Sequence, residues 1–283
     1  MGLPMCARLV ERGCSVRATD VRPGLRDELL RTGGAWEASA SAAATGADVL
    51  ITVLPGPEAV SGVAGDVLAG LGPNAIWLDM STGSPQLAED LTASAGPSGV
   101  RLVDAPVAGG PVAARSGRLL AFVGGRPADL DDVRPVLNSL ADRVLHVGSS
   151  GSGYLVKLLT NLLWFGQAVA SAEALTLARR AGLDLDVLRD AVAQSAAASR
   201  FMAVDADALL DGDDLASFSL SGCCQQLSTV LRLGERLDVP LELAALVSDV
   251  HQRALARYGD VNGELLAARL VAEQANVELR RPG

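Results

Sequence analysis

The stretch Gly151-Ser-Gly-Tyr-Leu-Val-Lys157-Leu-Leu-Thr-Asn161 divides the chain into two kinds of pattern. Ahead of it, short apolar runs alternate with helical segments; after it, only helical periodicity remains. Gly151 and Gly153 release the backbone from a preceding β-type segment. Leu155, Leu158, Leu159, Leu162 and Leu163 then recur at three- and four-residue steps, the spacing of a helix face. Lys157 and Asn161 are set into this apolar run. On a helix their side chains are neighbours, about 5–6 Å apart at Cβ. A lysine in such a face is costly to bury, because desolvation disfavours its charged form. Either it snorkels to water along its own stem, or it has a task.

Upstream, the β-type runs are Ser15–Thr19, Asp48–Leu54, Ala75–Leu78, Val100–Val103, Leu119–Val123 and Val144–Val147. Helical patterns fit between most of them, at Leu25–Thr32, Glu58–Ala69, Pro85–Ala95 and Ala128–Leu140. Alternating apolar strands and helices predict a doubly wound α/β sheet. Such sheets bind ligands beyond the carboxyl ends of their strands. Here those ends are rich in Gly, Pro, Ser, Thr and Asp, a composition that suits a binding rim. Downstream, helical patterns follow at 154–181, 184–194, 199–210, 219–237, 240–257 and 262–279, broken at Gly182, Gly212, Pro240 and Gly259. Two domains are therefore expected: an α/β domain over 1–150 and an all-helical domain over 151–283. Arg280-Arg-Pro-Gly283 reads as a frayed tail.

Composition narrows the function. With 49% apolar and 3% aromatic residues, the core must be built mainly from Ala, Val and Leu. The net charge, 24 − 33 = −9, and the lack of a basic run argue against nucleic acid as a partner. Cys6, Cys14, Cys223 and Cys224 form neither a CxxC motif nor a disulfide framework, so reduced thiols in a cytoplasmic protein are expected. His146 and His251 sit in no metal-ligand pattern, and no metal is expected. Arg8 and Glu11 interrupt what would have to be the apolar core of a signal peptide. Asn161, Gln167 and Glu173 interrupt the longest apolar run, which reads as a buried helix rather than a membrane span.

Gly2 and the segment Leu3–Gly13 resemble the first helix of a dinucleotide-binding βαβ unit, with Gly2 as the last glycine of a GxGxxG turn. A strand and two glycines should precede it, and this sequence has neither. In such a sheet the first strand is central, so its absence removes pairing on both sides. A start site placed some ten to fifteen residues too late would produce this pattern, since a strand and its turn need roughly that many residues. Asp20 ends the next strand, 18 residues beyond Gly2, where an acidic side chain suits the adenosine ribose hydroxyls.

With Asp104-Ala-Pro-Val-Ala-Gly-Gly110, Gly151-x-Gly-x-x-x-Lys157-x-x-x-Asn161, Leu54-Pro55, Asp79-Met-Ser-Thr-Gly-Ser-Pro85 and Met1-Gly2-x-Pro-Met5, the chain resembles the β-hydroxyacid dehydrogenases. These are the 3-hydroxyisobutyrate dehydrogenase and tartronate-semialdehyde reductase group of the 6-phosphogluconate dehydrogenase-like superfamily. The resemblance runs over essentially the whole chain. It implies a Rossmann-type domain followed by an all-helical one, and NAD as cofactor, with NADP as the alternative. Gly2, Asp20, Leu54, Pro55, Thr82 and Gln225 would contact the cofactor. Asp20 would favour NAD, and Arg22 would blunt that preference. Thr82 could equally cap the helix that starts near Pro85. Ala108, Gly109 and Gly110 would hold the substrate, the two glycines offering N–H groups to its carboxylate. Lys157 would be the general acid/base, a role that needs a pKa brought toward the working pH. Asn161 would orient the substrate oxygen and the lysine.

The sequence departs from the family pattern at several positions. Ala108 replaces a serine, Thr160 replaces the first asparagine of Lys-x-x-Asn-Asn, and Gln225-Gln226 replace a Lys-Asp pair that approaches the cofactor. The resemblance implies hydride transfer between nicotinamide and a small 3-hydroxy acid or its semialdehyde. Two alternatives are a non-catalytic dinucleotide-binding or scaffold remnant, and an imine or unusual carbonyl reductase, although the lysine itself speaks against the imine reductases. The helix after Tyr154 is too apolar to be covered by one small domain. A homodimer or homotetramer through the helical halves is therefore expected, with a small molecule as the other partner and no membrane or nucleic acid.

Overall fold

The computed structural model describes residues 1–281. It divides into two compact units, Met1–Leu158 and Leu159–Gly283. The first unit contains α1 (Gly2–Glu11), β1 (Arg17–Ala18), α2 (Arg26–Arg31), β2 (Ala35–Trp36), α3 (Ala40–Ala44), β3 (Val49–Thr52), α4 (Pro57–Gly70), β4 (Ile76–Asp79), α5 (Pro85–Ala95), β5 (Arg101–Asp104), β6 (Val107–Ala108), α6 (Gly110–Ser116), β7 (Leu119–Gly124), α7 (Pro127–Leu140) and β8 (Ala141–Gly148). A long helix, α8 (Ser152–Arg180), runs through the division.

Strands β3, β4 and β5 are parallel neighbours; β7 pairs antiparallel with β5 and β6 and parallel with β8. Every residue of β4 is buried, as a strand covered on both faces must be. The two-residue side-chain period sends Ile76 and Leu78 to one face and Trp77 to the other. Ile76 and Leu78 join Met5, Leu9, Val103, Val123 and Leu137 in one core; Trp77 joins Val60, Val67, Leu87 and Leu91 in a second. Helices thus cover both faces, α1 and α7 on one and α4 and α5 on the other. Strands β1 and β2 form a separate two-stranded parallel sheet, so β1 and β3 each have one strand partner. No strand of this sequence lies ahead of α1.

The short elements β2, β6, α3 and α6 have no counterpart in the patterns read from sequence. Two strands of two residues are too short to show alternation, and α6 begins inside the Gly109-Gly110 turn.

The second unit contains the remainder of α8, then α9 (Leu185–Ala193), a π-turn (Phe201–Asp205), α10 (Ala206–Asp211), α11 (Leu220–Arg236), α12 (Glu242–Tyr258) and α13 (Leu266–Gln274). By length and composition α8 is apolar enough to cross a membrane. Its residues instead serve two packed cores: Ala168, Ala172 and Leu175 pack with Phe201 and Leu209, and Phe165 and Val169 pack with Leu227 and Val250. It is a core helix. The last helix is shorter than the periodicity over 262–279 suggests. Asn276 takes a left-handed φ of 51°, and Val277 N–H returns to Ala272 O, which ends the helix. The expected fraying does not begin at Arg280. Arg281 N–H donates to Leu210 O, its guanidinium pairs with Asp207 and Asp211, and Arg179 Nη2 donates to Arg280 O. Pro282 and Gly283 of that tail lie outside the described residues.

Candidate functional site

The rim of the first unit is built at the carboxyl ends of its parallel strands. Helix α1 has no acidic residue in its first turn and no side-chain cap at Met1. Pro4 carries no N–H, so Gly2 and Leu3 are the first-turn residues with donors there, at the positive end of the helix. A Cβ on Gly2 would lie 4.0 Å from Val53 Cβ, just past β3. Two residues past β1, both oxygens of Asp20 are already engaged: Oδ1 accepts from Arg22 Nε at 3.0 Å and Oδ2 from Arg22 Nη2 at 3.0 Å. The Arg22 hydrogen bond holds the Asp20 carboxyl below the usual range.

Past β3, Leu54 N–H donates to Ser81 Oγ at 2.8 Å, tying the Leu54-Pro55 loop to the Ser81-Thr82 loop past β4. Thr82 is not the cap of α5: Ser84 is, its side chain accepting from Leu87 N–H at 3.2 Å. Ala108 ends β6, paired with Leu120. Gly109 and Gly110 follow with φ of 120° and 68°, and a Cβ on Gly109 would come 2.7 Å from Ala113 Cβ. This turn is available only to glycine at its first position.

Beneath these half-exposed residues lies a buried polar layer that the sequence patterns had not marked. Asp79 and Asp104, the last residues of β4 and β5, are in register as neighbours and completely buried. A carboxylate there must be hydrogen-bonded to be tolerated. Asp79 Oδ1 accepts from Thr52 Oγ1 at 2.7 Å and from Ser81 N–H at 3.1 Å, and Trp77 Nε1 donates to Thr52 Oγ1 at 2.8 Å. Its Oδ2 accepts from the Tyr154 hydroxyl. Asp104 Oδ1 accepts from Gly151 N–H at 2.8 Å, and Oδ2 from Tyr154 N–H at 3.1 Å. Burial pushes both carboxyls above the ordinary aspartate value, against their hydrogen bonds. Asp104 is thus the cap of α8, delivered from another strand to a helix whose own N-terminal residues are Gly and Ser. Gly153 makes this approach feasible, since a Cβ there would lie 2.4 Å from Phe122 O and 2.8 Å from Asp104 O. A sequence signal existed: each of two successive apolar strands ends in aspartate, and a buried strand end with a charge demands donors.

Lys157 follows one turn beyond the capped start of α8 and is half-buried. Asn161 lies a further turn along the same helix. Within the second unit, Asn161 Nδ2 donates to Gln226 Oε1 at 2.5 Å. Gln226 is buried, whereas the neighbouring Gln225 is half-exposed and its carbonyl accepts from Thr229 Oγ1 at 2.9 Å. Of the two glutamines, the one not singled out for the cofactor is the one that holds Asn161. The structure therefore assembles Gly2, Asp20, Leu54, Pro55, Thr82, Ala108, Gly109, Gly110 and Lys157 within the first unit, and Asn161 and Gln225 within the second. Among the described residues, no group of three or more His, Cys, Asp or Glu side chains is arranged to hold a metal.

Comparison with known proteins agrees along the length of the chain. Residues 1–148 match a family described as the NAD binding domain of 6-phosphogluconate dehydrogenase. Residues 151–271 match one described as the NAD-binding domain of NADP-dependent 3-hydroxyisobutyrate dehydrogenase. A probable 3-hydroxyisobutyrate dehydrogenase of Mycobacterium bovis is 38% identical over 192 residues, 68% of this chain and 65% of that protein, so the match spans just under two thirds of its length. The 3-sulfolactaldehyde reductase of Escherichia coli is 29% identical over 90% of this chain and 87% of its own. Among solved structures, Mycobacterium tuberculosis 3-hydroxyisobutyrate dehydrogenase with L-serine superposes with a TM-score of 0.87 at 30% identity, covering 95% of each chain.

Proposed function

Because the chain belongs to the β-hydroxyacid dehydrogenase family, we propose that it is an NAD(P)-dependent oxidoreductase acting on a small 3-hydroxy acid or the matching semialdehyde. The bound nicotinamide cofactor would supply or accept the hydride. The residues present fit such a group. The first turn of α1 offers N–H groups and no competing carboxylate to a pyrophosphate, Asp20 offers a carboxylate to a ribose diol, and Leu54, Pro55 and Thr82 flank the nicotinamide side. By the family pattern the uncharged Gln225 would also contact this group.

Lys157 gives a proton to the carbonyl oxygen during reduction and withdraws it during oxidation. Asn161, its amide held by Gln226, orients the lysine and the substrate oxygen. Gly109 and Gly110 present backbone N–H groups to the substrate carboxylate, and Ala108 leaves that carboxylate one hydroxyl contact short of the family pattern. The observation that carries the proposal is the capping of α8 by Asp104. One carboxylate, directly after Val103, the last apolar position of β5, holds the start of the helix on which Lys157 is carried. The test is turnover of 3-hydroxyisobutyrate and L-serine with NAD and NADP. Reduction of carbonyls lacking a carboxylate, with no activity on hydroxy acids, would favour the second reading that Ala108 suggests, a carbonyl or imine reductase. Saturable cofactor binding without turnover of either class would favour a non-catalytic relative.

The helical domain would also carry self-association. Leu163 and Leu177 on α8 and Leu243 and Leu246 on α12 are between 64% and 72% exposed, more apolar surface than a small helical unit ordinarily leaves in water. A homodimer or homotetramer in the cytoplasm, with the free thiols of its four cysteines kept reduced, accounts for both features. Light scattering that gave a monomer at micromolar concentration would contradict it.

A further inference from the structure

We propose that Tyr154 is a positioning residue that fixes the Lys157 helix to the loop flanking the nicotinamide side; the inference rests on the assignment of Lys157 as the proton-transfer group. Tyr154 hydrogen-bonds to both buried aspartates, one through its backbone and the other through its side chain. Its N–H donates to Asp104 Oδ2 at 3.1 Å, and its hydroxyl donates to Asp79 Oδ2. The residue is completely buried. Its ring lies directly under the turn that carries Thr82: a Cβ on Gly83 would fall 2.8 Å from two of its ring carbons. Asp79 in turn is bonded to Ser81 N–H at 3.1 Å, and Ser81 Oγ accepts from Leu54 N–H at 2.8 Å. A continuous chain of hydrogen bonds therefore runs from the Leu54-Pro55 loop through Ser81 and Asp79 to Tyr154, and Lys157 is three residues further along the same helix.

The arrangement suits a two-group reaction. Hydride and proton must reach adjacent atoms of one substrate, so the loop on the hydride side and the helix on the proton side need a fixed separation. Misplacement by about 1 Å is enough to cost roughly a hundredfold in rate. The backbone cap at Asp104 holds the start of α8, but a cap leaves rotation about the helix axis to other contacts. A rigid ring hydrogen-bonded at its far end supplies that second point of attachment. Burial and the neighbouring Asp79 both push the phenol pKa well up, so Tyr154 stays a donor throughout the working range.

Tyr154→Phe removes the hydroxyl and leaves the ring packed under Gly83. The expected result is a kcat lower by about tenfold to a hundredfold, a raised solvent deuterium isotope effect on kcat, and a Kd for NADH within twofold of the parent value. Amide exchange at Leu155–Leu158 should quicken by about tenfold, reflecting one lost hydrogen bond. The Tyr154→Phe/Asp79→Asn double variant should be no slower than the worse single variant, because both substitutions break one link. Unchanged exchange, or faster exchange with kcat and isotope effect unaltered, would overturn the inference, as would losses that multiply in the double variant. Asp79→Asn keeps the ring and is read in the same way if Tyr154→Phe does not fold. Turnover retained by Lys157→Ala would instead remove the assignment on which the inference depends.

Discussion

Replacing Asp104 tests the physical basis of the site without touching any residue that would meet substrate. Asp104 is fully buried, and its two oxygens take one backbone N–H each, from Gly151 and Tyr154. Asparagine has nearly the same shape but keeps only one acceptor oxygen, and its amide nitrogen would face a backbone N–H. Leaving one buried donor unsatisfied costs about 1–3 kcal/mol, and weakening the other bond from charged to neutral adds roughly 1 kcal/mol. Removing a carboxylate that burial penalises offsets part of this, for a net destabilisation of about 2 kcal/mol. In a folding unit of this size that lowers Tm by about 4–8 °C. Asp104→Ala leaves both donors unpaired and opens a cavity, so its loss should be larger, about 3–6 kcal/mol. Differential scanning calorimetry at neutral pH is the assay. The folded-state pKa of Asp104 lies above its unfolded value, so the folded protein binds more protons just above pH 3.8 and the wild type loses stability as pH rises through that window. The gap between wild type and Asp104→Asn should accordingly widen on acidification toward pH 4. An asparagine variant within 1 °C of wild type, or an alanine variant no worse than asparagine, would refute the reasoning.

Other substitutions probe separate parts of the molecule. Gly153→Ala forces a Cβ to 2.4 Å from Phe122 O, and backbone on a central strand cannot retreat; thermal unfolding should show a loss of about 3 kcal/mol. His251 is buried with Nδ1 2.8 Å from Val247 O and its ring edge-on to Phe165, and burial lowers its pKa. Its contribution is whole above about pH 6.5 and falls as pH drops below that value. Tm measured from pH 7.5 to 5.5 should therefore decline less steeply in His251→Phe. Arg22→Ala frees both oxygens of Asp20 from an exposed ion pair worth about 1 kcal/mol or less. In fluorescence titrations NADH should then bind up to about fivefold more tightly and NADPH more weakly.

The fold was legible wherever burial leaves a long pattern. The strands at Val49–Thr52, Ile76–Asp79, Arg101–Asp104 and Leu119–Gly124 are mainly apolar and bounded by turn residues; the first lies within its segment marked from sequence, and the other three each run one residue past theirs. Two-residue strands such as Ala35–Trp36 hold their place through tertiary neighbours and leave no periodic trace. The candidate rim was legible for another reason. Glycine, proline and small polar residues at strand ends are what a chain needs to turn sharply and to expose N–H groups. The layer below it was not. Asp79 and Asp104 look like the ordinary polar ends of strands until the register sets them side by side, and Tyr154 looks like one more apolar helix residue until its hydroxyl finds Asp79. Gln226 was passed over for Gln225 because adjacent helix positions diverge by about 100°, and only coordinates tell which of them turns toward Asn161.

The central claim is that Lys157 moves the proton. Lys157→Ala, assayed beside the parent protein for turnover of 3-hydroxyisobutyrate and L-serine and titrated with NADH, tests it most directly. Turnover should fall by at least about a hundredfold, the scale of a lost general acid/base, while the Kd for NADH stays within a few-fold of the parent. Undiminished turnover, or equal loss of turnover and cofactor binding, would make Lys157 a structural lysine and contradict the account.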